Sequence, residues 1–395
     1  MSLANTGEIL SVINRSGNRP SHDNAAREVD RALLVCLQGG FRKVLIRGDT
    51  DFSQTAHLDG TLTPTTGQCK HGMDIAYNGI WGYHPLIVSL ANTGEILSIV
   101  NRPGNRPSHE NAAREVDRAL LVCLQGGFRK VLVRGDTDFS QTAHLDGWDL
   151  SSRVRFIFGF DAIPKLTALA DELPEKAWRR LKRPARYQVQ TQPRQRPANV
   201  KDRVVKERGF ETLRLQSEDV AEFDYRPLAC RKSYRMVVVR KNITREKGEQ
   251  ALFDEVRYFF YITNERDGSA DDIVFSANDR CNQENLIAQL KGGVRALQAP
   301  VDALTSNGAY MVMTALAWNL KAWWALMLPE SPGRWQERHQ TQKQWVLKME
   351  FRTFLNAFVL LPCQIVQTGR RLVYRLLSWN PHLSIFFRLV NTLRC

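Results

Sequence analysis

Residues 89–147 read SLANTGEILSIVNRPGNRPSHENAAREVDRALLVCLQGGFRKVLVRGDTDFSQTAHLDG, and this stretch decides the predicted fold. It begins, with the residues just before it, as two runs rich in Ile, Leu and Val joined by turn-forming residues 92–94, which is typical of a β-hairpin. Apolar residues then recur at helical spacing over 112–124, with Ser108 as the predicted N-cap and two glycines at the end. FRKVLVRGD follows as a short strand, which places Asp136 at its C-terminal end.

The flanking sequence extends this pattern into an α/β layer fold. A strand leading to Asp59, the hairpin, the helix, the strand before Asp136 and the apolar run VRFIFGF predict a mixed sheet flanked by helices. From about residue 166 the chain becomes β-rich, with strands such as SYRMVVVRK and VRYFFYITN. NDRCNQENLIAQLKGGVRAL then predicts a helix capped by Asn278 or Asp279, and an apolar helix follows from about 307. The last part is predicted to be helical and basic, with RTFLNAFVLL and GRRLVYRLL as its clearest helices.

Residues 2–60 repeat 89–147 with only five substitutions in 59 positions. Two copies do not make a solenoid, so we interpret the repeat as a duplication. Asp49 of the first RGDTDF precedes Asp59 by ten residues, which leaves no room for a hairpin and a helix between their strands. We therefore expect 89–147 to build the core and 1–58 to be a spare copy, with exchange of the two copies as the alternative. The strand leading to Asp59 is a hybrid made from copied sequence, and we expect it to be short.

Composition limits the class of partner. Among 395 residues, 55 Lys and Arg outweigh 41 Asp and Glu, which points to nucleic acid first and an anionic membrane surface second. Seven scattered cysteines without C-x-x-C predict neither a disulfide scaffold nor a zinc site. The first residues show no signal peptide, so a cytoplasmic location is expected. The apolar stretch 307–328 is long enough to span a membrane, but Asn319 and Lys321 within it favour a core helix.

Three carboxylates stand where a sheet could gather them. Asp59 and Asp136 fall at strand ends, and ligands of open α/β sheets bind beyond the carboxyl ends of strands. On the helix after the insertion, Arg280, Glu284 and Lys291 share one edge beside an apolar face. The alternative is a solvent-exposed helix whose charged residues form an ion pair and have no catalytic role. Together the carboxylates could hold two magnesium ions for an in-line phosphoryl displacement.

Other chemistries fit less well. The chain has no G-x-x-x-x-G-K-[ST] loop, which argues against an NTPase. A phosphatase of the haloacid dehalogenase type would need an aspartate where His57 stands, and the histidines show no metal-ligand spacing. Of the neighbouring acids, Asp138 could bind metal jointly with Asp136, but it is predicted to be a turn or supporting residue. Asp74 could be a partner acid, but it is predicted to be structural.

Several segments together resemble the DDE transposases of bacterial insertion sequences: DGTLTPTTGQCKHGMDIAYNGIWGYHPL, NRPGNRPSH, VRGDTDF, ANDRCNQENLIAQLK and NGAYMVMTALAWNLKAW. The likeness is to the group with a ribonuclease H-like core, a β-strand insertion and a Y-x2-R-x3-E-x6-K signature. Arg280, Glu284 and Lys291 match the last three signature residues, whereas the tyrosine position holds Ala277. The resemblance covers about 59–330.

This resemblance implies metal-dependent DNA cleavage and strand transfer. Asp59, Asp136 and Glu284 would be the catalytic triad and would hold two magnesium or manganese ions, while Arg280 and Lys291 would contact DNA phosphates. The expected partners are insertion-sequence ends and target DNA, bound by a homodimer, with no membrane. The rivals are a catalytically inactive DNA-binding remnant, suggested by the rearranged N-terminus, and a nuclease of the same fold without strand transfer.

The start of the β-rich segment carries a basic run. Phosphate contacts from such a run would position DNA without reading its sequence, and Trp178 or Tyr187 could stack on an unpaired base. A solvated basic loop is the alternative. The candidate DNA-binding residues of this run are Trp178, Arg179, Arg180, Lys182, Arg183, Arg186, Arg194 and Arg196.

The domains predicted from all these features are the spare copy 1–58, a catalytic core of 59–165 and 276–330, the insertion 166–275 and the tail 331–395.

Overall fold

The computed structural model describes residues 54–67, 69–183, 200–248, 250–279, 281–331 and 333–393. The strands of this part of the chain are β1 (Gln54–Gly60), β2 (Thr63–Pro64), β3 (Asp74–Ile75), β4 (Trp81–Tyr83), β5 (Leu86–Leu90), β6 (Ile96–Val100), β7 (Val131–Gly135), β8 (Val154–Phe160), β9 (Arg179–Arg180), β10 (Glu211–Tyr225), β11 (Tyr234–Lys247), β12 (Gln250–Thr263), β13 (Cys363–Thr368) and β14 (Arg371–Leu376).

The α-helices are α1 (Ala112–Gln125), α2 (Thr142–Trp148), α3 (Pro164–Asp171), α4 (Val200–Glu207), α5 (Ala270–Asn278), α6 (Cys281–Ala288), α7 (Leu304–Leu326), α8 (Gln336–Lys348), α9 (Phe351–Phe354) and α10 (Leu383–Leu393). Short 3₁₀ turns occur at Thr137–Phe139, Glu175–Ala177 and Gly333–Trp335, and π turns at Gln289–Gly293 and Leu355–Val359. This mixture of helices and a mixed sheet confirms the predicted α/β class.

Two compact units divide the chain, and each is assembled from separate stretches of sequence. The first comprises the residues up to Pro107, Arg114–Arg129 and the residues from Asn282 onward. The second comprises Ser108–Ala113 and Lys130–Cys281.

Antiparallel pairing joins β1 to β5 and β5 to β6 in the first unit. Contrary to the expectation of a short hybrid strand, β1 is seven residues long. The polar residues Gln54 and His57 are buried beside Ala56 and Leu58, so the copied sequence QTAHL supplies a largely buried strand although only two of its residues are apolar. A small three-stranded sheet, β2–β4–β3, lies between β1 and the hairpin in the chain.

Helix α7 packs one face on the hairpin, with Met311, Ala315 and Trp318 against Ile96 and Ile99. The polar residues Asn319 and Lys321 of this helix both bond to backbone groups of neighbouring segments. The Asn319 amide donates to the Ile96 carbonyl at 2.8 Å and accepts from the Ile96 N–H at 2.7 Å, so it completes the edge of β6. Lys321 is 1% exposed and donates to the Leu347 carbonyl at 2.8 Å. The prediction of a core helix is therefore confirmed for this face.

Within the described residues, no helix is both long and apolar enough to cross a bilayer.

The second unit is built on β7 and β8, which pair in parallel, and on β8 with β12, which pair antiparallel. The three long strands β10, β11 and β12 extend this sheet as an antiparallel meander, and the short β9 pairs with β10. Helix α5 covers one face of the sheet, where Ile273, Val274 and Ala277 pack among Val220 and Val237. The predicted strands of the β-rich segment are confirmed.

Three local predictions were wrong. Helix α1 begins at Ala112, four residues after Ser108, because Asn111 adopts a left-handed φ of 61° that a helix cannot contain. The helix predicted after a cap at Asn278 or Asp279 is shorter than expected, because α6 covers only Cys281–Ala288 and a π turn ends the helical run at Gly293. The helix α5, which ends at Asn278 just before it, was not predicted.

The third error concerns the C-terminal tail. RTFLNAFVLL is helical as predicted, but residues 371–376 form the second strand of a hairpin. β13 and β14 are joined by the two-residue loop Gly369–Arg370, and Gly369 has a φ of 57°. A glycine with positive φ at the first loop position is typical of a hairpin turn, and this local signal outweighs the weak helical spacing of RLVYRL.

Candidate active site

Asp59 is the penultimate residue of β1, where it pairs with Ile87 of β5 and is half-buried. Gln283 of α6 contacts the same part of the sheet, because its side-chain amide lies 3.4 Å from the His57 carbonyl and 3.5 Å from the Ile87 carbonyl. Gln283 is buried, whereas the adjacent Glu284 is exposed. The helix that carries Glu284 is thus attached to the strand that carries Asp59.

Lys291 lies in the π turn that follows α6. Desolvation by the surrounding protein lowers the pKa of its ammonium, and the negative charge of Asp59 acts in the opposite direction. Lys291 therefore lies within electrostatic reach of Asp59. Asp59, Glu284 and Lys291, which the sequence predicted to act together, all belong to the first unit. The π turn is a rare geometry that is frequent at functional sites.

A buried polar network supports the backbone at Asp59. The His84 Nδ1 donates to the Arg106 carbonyl at 2.9 Å, and the Arg102 Nε donates to the His84 carbonyl at 2.9 Å. A Cβ at Gly60 would lie only 2.9 Å from His84 Nε2, so the close approach of this ring requires glycine beside Asp59. The NRPGNRPSH motif therefore fixes the end of β1 in place. Sequence analysis noted the motif without recognising this role.

Asp74 is placed as predicted for a structural residue. Its carboxylate accepts from the Ile75 N–H at 2.7 Å, and β3 pairs with β4 through Asp74 and Gly82. Gly104 packs against this strand so closely that a Cβ there would lie 2.3 Å from the Asp74 carbonyl oxygen.

Asp136 belongs to the second unit and follows β7 directly, as predicted. Its carboxylate caps the 3₁₀ turn Thr137–Phe139 by accepting from the Asp138 N–H at 3.1 Å. Asp138 is exposed within that turn, which agrees with its predicted place. The turn approaches β8 so closely that a Cβ at Gly159 would lie 2.8 Å from the Thr137 nitrogen.

Arg134 of the RGD motif is a residue that sequence reasoning missed. Its guanidinium is buried, donates to the Ser276 carbonyl and hydroxyl, and lies 3.8 Å from the Asp279 carboxylate. Burial lowers its pKa, and the charge of Asp279 opposes that shift. Arg134 thus links β7, which ends at Asp136, to the last turn of α5. The arginine in RGD was the available signal.

Ala277 occupies the tyrosine position of the transposase signature and is buried in the core of the second unit. This position therefore offers no hydroxyl to a ligand. Arg280, Asp49 and Tyr187 lie outside the described residues, as do Arg186, Arg194 and Arg196 of the basic run.

The described arginines of the basic run face carboxylates of their own unit. Arg179 lies 2.8 Å from Asp271, and Arg180 lies 3.7 Å from Asp219.

Arg183 makes a bidentate contact to Glu218 at 2.6 and 2.9 Å, and hydrogen bonding to this carboxylate raises the arginine's pKa. Lys182 is exposed and forms no ion pair within the described part of the chain. Trp178 is half-buried, with the Arg240 guanidinium 4.3 Å from its ring centroid and the Tyr258 ring 6.1 Å away.

Within the described ranges, no three His, Cys, Asp or Glu side chains lie close enough together to hold a metal ion. The donor types nevertheless suit magnesium, which prefers carboxylate oxygens completed by water and phosphate.

The transposase DDE domain group 1 family model matches residues 55–395. The chain therefore belongs to this family of transposases. No curated protein matches. A solved piggyBac transposase synaptic complex with hairpin DNA is similar at 12% identity and a TM-score of 0.38, over 88% of this chain and 62% of that one. The NurA nuclease from Sulfolobus solfataricus is similar at 11% identity and a TM-score of 0.22, over 70% of this chain and 95% of that one. This chain thus spans less than two thirds of the piggyBac chain.

Proposed function

We propose that the protein is a DDE transposase that cleaves DNA at insertion-sequence ends and transfers the strands to target DNA. The observation that carries the proposal is the family match over residues 55–395, which includes Asp59, Asp136 and Glu284. The match excludes nearly all of the first repeat copy, including Asp49. This supports the use of the second copy in the catalytic core.

Asp59, Asp136 and Glu284 would hold two magnesium or manganese ions. When bound, such ions activate the attacking hydroxyl and stabilise the leaving oxygen of an in-line displacement at phosphorus. The rigid supports around the carboxylates favour this role. The His84 network holds the backbone at Gly60, Gln283 anchors the helix of Glu284, and Asp136 caps its own turn. Prearranged carboxylates lose little freedom when a metal binds.

Cations near the carboxylates would position the DNA. Lys291, whose charge interacts with that of Asp59, would contact a phosphate beside the cleaved bond, and Arg280 would do the same. Lys182, Arg186, Arg194 and Arg196 of the basic run would add phosphate contacts. Arg179, Arg180 and Arg183 would contribute less, because each already faces a carboxylate. A Trp178 base contact would use the side of the indole not covered by Arg240.

The test uses the full chain with labelled DNA taken from both flanks of its coding region, in magnesium and in EDTA. Magnesium-dependent nicking followed by joined products is expected for the wild type. Asp136→Asn should abolish both, because a metal-binding carboxylate is lost, whereas Asp49→Asn should retain them. Asp138→Asn is the matched control in the same turn.

Each alternative gives a distinct result. Cleavage without joined products would indicate a nuclease of the same fold. DNA binding without any magnesium-dependent nicking would indicate an inactive remnant. Equal loss in the Asp49→Asn and Asp136→Asn variants would contradict the assignment of the core to residues 89–147. Light scattering with and without DNA ends tests the proposed homodimer. The expected result is that the protein mass of the complex doubles when two DNA ends are brought together.

A further inference from the structure

The hairpin β13–β14, residues 363–376, stands apart from the packed core of the first unit. Its side chains are exposed along nearly the whole of both strands, including Ile365 at 58%, Leu372 at 64% and Tyr374 at 62%. An isolated two-stranded hairpin is only marginally stable in water. A segment of this kind is therefore expected to have a partner.

Charge identifies the class of partner. Residues 351–395 contain six arginines and no Asp, Glu or Lys. Three of the arginines, Arg370, Arg371 and Arg375, belong to the hairpin and are exposed, and among the residues that the structure describes they form neither an ion pair nor a side-chain hydrogen bond. A cluster of unneutralised cations attracts a polyanion.

The strand register sorts the side chains onto two faces. Pairing of Thr368 with Arg371 and of Gln364 with Arg375 places four hydrogen-bonding side chains on one face, with the Val366–Val373 pair between them. Ile365, Leu372 and Tyr374 share the other face with Gln367. Arg371 and Arg375 are four residues apart on one strand, which separates them by about 13 Å, or about four base-pair steps of duplex DNA. The major groove of duplex DNA is wide enough to admit a two-stranded β-ribbon.

We propose that the hairpin β13–β14 is a second DNA-binding element, a ribbon that contacts duplex DNA through Arg370, Arg371 and Arg375. The inference depends on the proposed function for its choice of DNA over other polyanions. The rival occupant is a second copy of the chain on the apolar face. That face presents three large exposed apolar side chains, Ile365, Leu372 and Tyr374, whereas a specific protein interface buries about 800 Å² per partner.

The experiment measures binding of the full chain to a labelled 30-base-pair duplex of arbitrary sequence by fluorescence anisotropy. EDTA is present so that cleavage cannot interfere, and the salt concentration is varied. Each phosphate contact contributes about 0.9 to the slope of log K against log salt. Replacing Arg370, Arg371 and Arg375 together by Ala should reduce the slope by about 2 to 3 and weaken binding at least about tenfold at 100 mM salt.

Two variants serve as matched controls. Replacing the same three arginines by Lys should preserve most of the slope, because phosphate contacts need charge more than geometry. Replacing Lys206, Arg208 and Lys348 by Ala removes the same net charge from exposed positions outside the hairpin and should change the slope by less than about 1. Circular dichroism spectra that match the wild type establish that all three variants are folded.

The results separate this inference from the proposed function. A wild type that binds DNA through the hairpin yet cleaves nothing in magnesium supports the inference and contradicts the proposed function. An unchanged slope in the triple Ala variant overturns the inference. A wild-type dimer that dissociates on replacement of Ile365, Leu372 and Tyr374 by Ser, together with an unchanged slope in the triple Ala variant, identifies a second copy as the occupant instead.

Discussion

The arginines of the second unit's sheet and those of the C-terminal hairpin differ in their partners. In the sheet, Arg183 meets Glu218, which lies 35 positions further along the chain. In the hairpin, Arg371 and Arg375 form no ion pair with any residue that the structure describes, and no Asp or Glu follows Glu350 in the sequence. Arg179, Arg180 and Arg183 of the dense basic run therefore lie on a neutralised surface, whereas the arginines of the sparser RRLVYR are available to a partner. Availability of a cation depends on the carboxylates that the fold brings to it.

The largest expected effect comes from removing the carboxylate that two cations share. Glu218 is 8% exposed and also lies 3.3 Å from Lys241. Glu218→Ala should lower the free energy of unfolding by about 2 to 3 kcal/mol, because Arg183 and Lys241 are left without a counter-charge. Urea denaturation measures the change. Asp224→Ala, which removes an exposed ion pair with Arg266, is the control and should cost less than about 0.5 kcal/mol.

Acid should have the same effect as this substitution. The Arg183 hydrogen bond lowers the pKa of Glu218 from its ordinary value of 4.5. The stabilisation is therefore complete above about pH 4.5 and is lost as the pH falls through the lower pKa of the folded state. A Glu218→Gln variant should show less stability loss in that acidic range. An identical acid profile for variant and wild type would contradict the pairing.

Single arginine substitutions sharpen the contrast between the two regions. Arg183→Ala should cost about 1 kcal/mol of stability and change the salt slope of DNA binding by less than about 0.5. Arg371→Ala should change stability by less than about 0.5 kcal/mol and reduce the slope by about 0.9. Denaturation and anisotropy on the same two proteins provide the comparison. Equal effects on both readouts would remove the distinction.

The last expected effect concerns the pH dependence set by Lys321, a buried cation satisfied without a carboxylate. It lies against the Leu347 carbonyl and 4.1 Å from the centroid of the Trp318 ring, and burial lowers its pKa to about 8. The unfolded chain then holds this proton up to about pH 10.5, so stability should rise by about 1 kcal/mol between pH 7 and 9. Lys321→Met should remove that rise in denaturation experiments. A rise that persists in the variant would show that other groups cause it.

Much of the fold could be predicted because its signals are local. The alternating runs of β11 and β12, the apolar face of α1 and the position of Asp136 after β7 follow from residue spacing. The hairpin β13–β14 was missed because RLVYRL fits both helical and strand spacing over six residues. Short apolar segments are ambiguous in this way, and here the turn at Gly369 decides between them.

The residues of the candidate site also fall into those that local sequence could predict and those that it could not. Asp59, Glu284 and Lys291 could be selected from their types and spacing, together with the family resemblance. Gln283, Arg134 and His84 could not, because their roles depend on backbone carbonyls contributed by distant parts of the chain. Such contacts leave no periodic trace in the sequence.

The amino-acid sequence by itself determined the family, the α/β class, the duplication and the positions of the carboxylates, because each follows from motifs and spacings of residues that are close together in the sequence. Tertiary structure alone decided that the copied QTAHL could form most of a seven-residue buried strand, because Gln54 and His57 become buried beside its apolar residues. It also decided which arginines are neutralised. The physical reason is that charge is local in sequence, whereas its compensation depends on distance in space.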